Sequence, residues 1–386
     1  MSASSAALAS AASNEDFAVD PDGLQEFSVV FTDRSLNSMS KRFQQVMRDV
    51  HDALCEVYSA HTMAVVPGGG TFAMEAVARQ FAGDRKALVV RNGWFSYRWT
   101  QIFEAGSIPS SHIVIKARQV GNGGPQVPFT PPPVEEVVAQ IKAEKPDVVF
   151  APHVETSAGL ILPDDYIRTI GEAVHEVGGL MVLDCIASGT VWVDMKACNV
   201  DVLISAPQKG WSSSPSSGLV MLSERARARA DETASSSFAC DLKKWLQIMD
   251  AYRGGGHAYH ATMPTDALRG FAATIAETMH YGLDRVRDEQ WALGRKVRGL
   301  LAERGFKSVA APGFEAPGVV VSYTDDPDIQ NGSKFARAGV QIAAGVPLQV
   351  DEPADFRTFR IGLFGHDKLH NPDATVTRLQ AALDAI

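Results

Sequence analysis

The sequence predicts an α/β protein: a mostly parallel, seven-stranded sheet with helices on both faces, followed by a smaller α+β unit. Two observations carry this. Seven short runs rich in Val, Ile and Leu recur between residues 62 and 222, separated by segments of helical periodicity. They lack clean polar alternation, which is how strands buried on both faces read. From about Asp266 the pattern changes to a long helical stretch, then short strands, then a final helix.

In order, the expected strands are TMAVV, KALVVR, SHIVIK, PDVVFA, GLMVLD, DVLIS and SGLVML. Amphipathic helices are expected between them, including 134–145 and 164–177. The second opens on Asp164 and Asp165 as capping residues and stops at Gly178 and Gly179. Beyond Asp266 one long helix is expected through residue 305, then strands GVVVSY, GVQIA and TFRIGLF, then a terminal helix. The length exceeds what one core serves. The expected division is a flexible Ala/Ser-rich arm at 1–25, a large domain at 26–265 and a small α+β domain at 266–386.

Composition excludes several roles. The chain has 386 residues, 21% of them charged, and a net charge of -9, so there is no electrostatic footprint for nucleic acid. No apolar run reaches the length of a membrane span. The first 23 residues carry no Lys or Arg, unlike secretory or transit segments. Cys55, Cys185, Cys198 and Cys240 form no CxxC pair and read as reduced thiols of a cytoplasmic protein.

In open α/β sheets, ligands bind beyond the carboxyl ends of the strands, and four stretches there bear chemistry. VVPGGGTFAMEAVARQF runs from a strand through three glycines into a helix, a phosphate cradle of backbone N–H groups. It lacks the lysine of a nucleotide P-loop, although Gly68, Gly70 and Ala73 match a loose dinucleotide fingerprint. GLMVLDCIASG ends a buried strand on Asp184, where a carboxylate serves as a cap, an ion-pair partner or a functional acid. LISAPQKGWSSSPSSG holds a single cation, Lys209, among small residues; desolvation lowers an amine's pKa and makes it a nucleophile for a carbonyl. TFRIGLFG sets Arg360 inside an apolar strand, where its fork suits a carboxylate. A phosphate, a ring nitrogen wanting an acid and an aldehyde wanting a lysine are together the features of pyridoxal phosphate.

The chain resembles the class V, fold-type I pyridoxal-phosphate aminotransferases of the alanine–glyoxylate and serine–glyoxylate group. The resemblance rests on PGGGTFAMEA, NGWFSYRW, HVETSAG, LDCIASG, SAPQKG, AYHATMP and FRIGLFG, in that order. It implies that Gly69, Gly70 and Thr71 hold the phosphate, with Gln208 touching it. Phe95 would stack on the pyridine ring, although Trp94 stands beside it and a one-place shift exchanges them. Thr156 would bond the ring hydroxyl. Asp184 would pair with the ring nitrogen, and Ile186 would pack on the opposite face. Lys209 would carry the cofactor as a Schiff base, and Arg360 would bind the substrate carboxylate. Tyr259 and Thr262 would reach the phosphate of the neighbouring subunit, which implies a homodimer with shared sites. The implied reaction moves an amino group from a small amino acid, alanine- or serine-like, to a glyoxylate- or pyruvate-like 2-oxo acid. Relatives usually carry a Gly/Pro-rich segment near the N-terminus that lines the substrate pocket; FSVVFTDRSLNSMSKRF stands there instead.

Other readings share parts of this pattern. A lyase or racemase uses the same cofactor. A desulfurase calls for a cysteine in a later loop, and no cysteine follows Cys240. An NADP-dependent dehydrogenase would use Gly68, Gly70 and Ala73 with Arg91, and leaves Asp184 and Lys209 without a role.

Overall fold

A computed structural model of the chain describes residues 19–121, 124 and 126–386. Residues 1–18 of the expected arm therefore lie outside the described residues. All seven expected runs form strands of one sheet: β1 (Thr62–Pro67), β2 (Lys86–Arg91), β3 (Ser111–Lys116), β4 (Val148–Pro152), β5 (Leu180–Asp184), β6 (Val202–Ser205) and β7 (Ser217–Leu222). Their order is β1-β7-β6-β5-β4-β2-β3. Only β7 runs against its neighbours, β1 and β6; the pairs β6–β5, β5–β4, β4–β2 and β2–β3 are parallel. Two antiparallel steps bring β1 back into line with β6. The carboxyl ends of all strands but β7 thus open on one edge.

Helices cover both faces. The relevant ones are α1 (Lys41–Tyr58), α2 (Gly70–Phe81), α3 (Trp94–Gly106), α4 (Val134–Glu144), α5 (Asp164–Glu176), α6 (Glu224–Glu232) and α7 (Leu242–Arg253). In α1 the Ser40 hydroxyl accepts the Phe43 N–H at 3.0 Å, a normal N-cap, and Phe43, Val46, Met47, Val50 and Leu54 form its buried stripe. In α5 the capping position is Pro163, so Asp164 and Asp165 lie inside the first turn. There they favour the positive end of the helix dipole instead of capping it.

The stretch expected as one helix is two, α8 (Thr265–Tyr281) and α9 (Leu283–Glu303). Gly282 divides them with φ +108, a backbone state closed to ordinary side chains. A second sheet has β8 (Val319–Tyr323) and β9 (Ala343–Ala344) flanking β10 (Thr358–Gly362), all antiparallel. GVQIA therefore gives only Ala343, the first residue of the two-residue strand β9. Its first residues leave the helix Ser333–Arg337 through a turn at Gly339, and Val340 and Ile342 pack against the core. Arg360 lies on the middle strand, opposite Val321 and Ala343. The last helix is Pro372–Asp384.

Three apolar clusters build the interior. The largest joins the seven-stranded sheet to its helices, and another joins α9 to the second sheet and the last helix. The remaining one ties Val154, Leu160 and Ala187, at the sheet's open edge, to Val319, Val321 and Leu348. The two sheets are thus fastened together beside the open edge.

Candidate active site

Asp184 is the last residue of β5 and Ile204 is its neighbour across the pair. Burial pushes its carboxyl pKa up to about 7. The Ile186 N–H, which donates to Oδ1 at 2.9 Å, opposes the rise; Glu155 adds to it and Arg98 works against it. A carboxylate so placed favours a neighbouring cation strongly.

Lys209 stands in a tight turn four residues past β6, where the Ser212 N–H donates to its carbonyl at 3.1 Å. The turn is tied to the second sheet's side of the molecule, because the His366 N–H donates to Ser212 Oγ at 3.1 Å. Lys209 Nζ lies 5.2 Å from the centre of the Phe364 ring. Burial, and then the charge of Arg360, hold its pKa below that of an ordinary lysine. Arg360 donates from Nε to the Ala344 carbonyl at 2.8 Å. Among the described residues no carboxylate lies within ion-pair distance of its guanidinium. Burial lowers its pKa as well, against the pull of Glu155.

The glycine turn follows β1. A side chain at Gly70 would put its Cβ 2.5 Å from Ile186 Cδ1, so the helix start closes onto the residue after Asp184 only because Gly70 has none. Gln208, in the turn before Lys209, holds a buried Oε1 with no hydrogen-bond partner among the described residues. A buried amide oxygen left so has a cost of about 1–3 kcal/mol, which a donor brought by a ligand or its water would relieve. Thr71 lies exposed in the first turn of α2, and its Oγ1 accepts from Arg98 Nη1 at 3.0 Å.

Phe95 belongs to the first turn of α3. The guanidinium carbons of Arg98 and Arg360 lie 5.1 and 5.6 Å from its ring centre. Trp94 turns instead towards Tyr97, with ring centres 5.6 Å apart. The structure therefore brings Phe95, not Trp94, beside Arg360. Thr156 sits half-buried in the turn that joins the short strands 154–155 and 160–161. Tyr259 and Thr262 stand apart, exposed at the surface, with their hydroxyls 3.3 Å from each other.

Glu155 is a contributor that the sequence reading did not assign. It is fully buried. Its carboxylate accepts the N–H groups of Phe95, Ser96 and Ser157 at 3.1, 2.9 and 3.2 Å, and the hydroxyls of Ser96 and Ser157 at 2.7 and 2.6 Å. It closes the N-terminus of α3 from a strand end 60 residues away and so fixes where Phe95 points. Gly93 makes room, since a Cβ there would lie 2.2 Å from Ser157 Oγ and 2.8 Å from the Glu155 carboxyl carbon. Arg91 is accounted for without a dinucleotide. It donates to Thr100 Oγ1 at 2.7 Å and the Gln349 carbonyl at 3.2 Å, and its guanidinium lies over Tyr97.

The model of the class-V aminotransferase family matches residues 22–345. The chain belongs to the class-V aminotransferases. The chain is a pyridoxal-phosphate-dependent aminotransferase. Among curated proteins it is similar to 2-aminoethylphosphonate–pyruvate transaminases. The one from Pseudomonas aeruginosa PAO1 is 27% identical over 80% of this chain and 78% of its own. The one from Paraburkholderia phymatum is 27% identical over 89% and 90%. Its fold is shared with an alanine–glyoxylate aminotransferase from Nostoc sp. (TM-score 0.73, 20% identity, 90% and 89% covered). A pyridoxamine–pyruvate aminotransferase from Mesorhizobium loti is also similar (TM-score 0.74, 18% identity, 91% and 85% covered). The family match ends before Arg360, so the case for that residue rests on its geometry.

The residues present fit the cofactor. The unpartnered Gln208 oxygen, the glycine turn and the buried acid at the end of β5 converge on one edge with Lys209. No described helix is long and apolar enough to cross a membrane.

Proposed function

We propose that this aminotransferase takes the amino group of a small donor bearing an acidic group and passes it to a pyruvate- or glyoxylate-like 2-oxo acid. The observation that carries the reading is the pair Lys209 and Arg360. They are two cations within electrostatic reach of each other, both partly buried, and among the described residues Arg360 has no acidic partner within ion-pair distance. An anion between them relieves both.

When bound, pyridoxal phosphate supplies an electron sink for the substrate carbon. The chain's own groups do the rest. Gly69, Gly70 and Thr71, at the positive end of α2, and Gln208 hold the phosphate. Asp184 keeps the ring nitrogen protonated, and Ile186 and Phe95 confine the ring. Thr156 serves the ring hydroxyl. Lys209 Nζ would hold the cofactor covalently and would move the proton at the substrate carbon; its lowered pKa suits it to accept that proton. Arg360 orients the acid group of donor and acceptor in turn.

The curated relatives' name points to a donor whose acid is a phosphonate, and a guanidinium fork receives a phosphonate as well as a carboxylate. An alanine- or serine-like donor and 2-aminoethylphosphonate are therefore the two donor classes to separate. We also read the protein as a cytoplasmic homodimer with domains at 26–265 and 266–386. All four cysteines are free, and Phe72, Phe238 and Tyr259 present apolar surface of the kind a subunit interface covers.

The test is a half-reaction panel. Alanine, serine and 2-aminoethylphosphonate are mixed with holoenzyme, and the cofactor's visible band is followed. Pyruvate or glyoxylate is then added to restore it. Loss and recovery of the band with one of these donors is expected. A band that none of them bleaches, or that the oxo acids never restore, sinks the reading. Borohydride reduction and peptide mapping must place the label on Lys209.

A further inference from the structure

Arg98 sits one helical turn after Phe95 in α3, half-buried, and its side chain crosses to the first turn of α2. Its Nη1 donates to Thr71 Oγ1 at 3.0 Å while the guanidinium lies 5.1 Å from the Phe95 ring centre. Among the described residues no carboxylate lies within ion-pair distance of it. The groups that the glycine turn itself offers are neutral: its backbone N–H groups and the Thr71 hydroxyl. A phosphate monoester carries about -1.5 to -2 charges at neutral pH. Of the other two cations in the site, Lys209 gives up its amine to the cofactor, and Arg360 faces Lys209 and Glu155. Arg98 and Arg360 both lie beside the Phe95 ring, but Arg98 donates to Thr71 at the start of α2 whereas Arg360 donates to the Ala344 carbonyl of the second sheet.

We propose that Arg98 is the counter-charge of the cofactor's phosphate, held against the glycine turn by Thr71 and aimed by the Phe95 ring. This rests on the reading that the glycine turn holds the phosphate of pyridoxal phosphate. A charged hydrogen bond from a guanidinium is stronger than those of the neutral donors around it and gives the cofactor an anchor that survives each half-reaction, when the bond to Lys209 is broken. Stacking on Phe95 limits the rotamers of Arg98, so little order remains to be imposed on binding.

The experiment compares two ligands on the full-length apoenzyme, pyridoxal 5'-phosphate and pyridoxal, which differ only in the phosphate. Affinities are read from the bound chromophore. For Arg98→Gln, affinity for the phosphorylated ligand should fall about 10- to 100-fold, while affinity for pyridoxal stays within about twofold. Arg98→Lys should recover part of the loss, because it restores charge but not the fork. The inhibition constant of inorganic phosphate against the cofactor should rise in the Gln variant. Equal losses on both ligands would show Arg98 to be a brace between α2 and α3 and overturn the proposal; so would no loss on either. If Arg98→Gln does not fold, the Lys variant carries the same comparison, and an unchanged ratio of the two affinities overturns it. A wild-type chain that binds neither ligand would instead overturn the cofactor assignment beneath it.

Discussion

The guanidinium carbon of Arg360 lies 5.6 Å from the centre of the Phe95 ring, so the middle strand of the second sheet meets the first turn of α3. These residues are 265 positions apart, and the charge of Arg360 also acts on Lys209. Phe364, four residues after Arg360, brings its ring centre to 5.2 Å from Lys209 Nζ.

Arg360→Ala should lose activity steeply on donors that carry an acid group and little on matched simple amines. Truncating one partner of a desolvated charge pair costs about 2–5 kcal/mol. Arg360→Lys should rescue poorly, because an ammonium lacks the planar fork. The measurement is kcat/KM for each variant on a matched acid and amine pair. Equal losses on both would make Arg360 structural. The Ala variant should also raise the Lys209 pKa, because a like charge that now lowers it is gone. Apoenzyme should then take up cofactor more slowly near neutral pH, when fewer chains hold the free amine.

Asp184→Asn should separate catalysis from stability. The folded-state pKa of Asp184, near 7, lies above its ordinary 3.8. Between those values the unfolded chain releases the proton and the folded chain keeps it, so the folded apoenzyme is penalised as pH rises. The penalty is absent below pH 3.8 and complete above about 7, where three units correspond to about 4 kcal/mol at most. The Asn variant cannot ionise. Its apoenzyme should therefore be more stable than wild type at pH 8, and the gap should close towards pH 4, as read by denaturant unfolding. Turnover should drop sharply, since an amide cannot keep the ring nitrogen protonated. A pH-independent stability difference would contradict the burial argument.

The sheet, and the placing of Asp184 and Lys209 at or just beyond strand ends, were legible because each follows from local rules. Buried strands read as apolar runs, and chemistry follows strand ends, which singled out Asp184 and Lys209. Glu155 and Arg98 were not legible, although both lie in stretches that carried the resemblance. The partners of Glu155 are backbone N–H groups near residue 95, and that of Arg98 is a hydroxyl at residue 71. No periodicity encodes such pairings. The break at Gly282 was hidden for a different reason: the helical pattern continues through it, and only the backbone angle reveals the division.

Glu155→Gln should destabilise the fold by about 1–3 kcal/mol. The amide keeps an acceptor for one edge of the network but turns donors towards N–H groups or hydroxyls on the other. Because the carboxylate seats the first turn of α3, KM should rise with the drop in melting temperature as Phe95 loses its setting. Glu155→Ala should be worse, leaving the N–H groups of Phe95 and Ser96 without their acceptor. A Gln variant with unchanged melting temperature and KM would show that the network tolerates a neutral centre.

The shared-site reading makes the sharpest demand on Tyr259 and Thr262. Tyr259 is 62% exposed in the single chain and its hydroxyl meets only Thr262 among the described residues. If the pair serves the neighbouring subunit's phosphate, a chain carrying Tyr259→Phe and Thr262→Ala should bind cofactor weakly, by about tenfold or more for two lost hydrogen bonds. A chain carrying Lys209→Ala should be inactive. Mixed dimers of the two should recover activity, because one of their two sites combines an intact Lys209 with an intact partner Tyr259 and Thr262. Recovery should approach half the wild-type rate per dimer at limiting cofactor. If the two residues act within their own chain, both sites of the mixed dimer stay defective and mixing restores nothing.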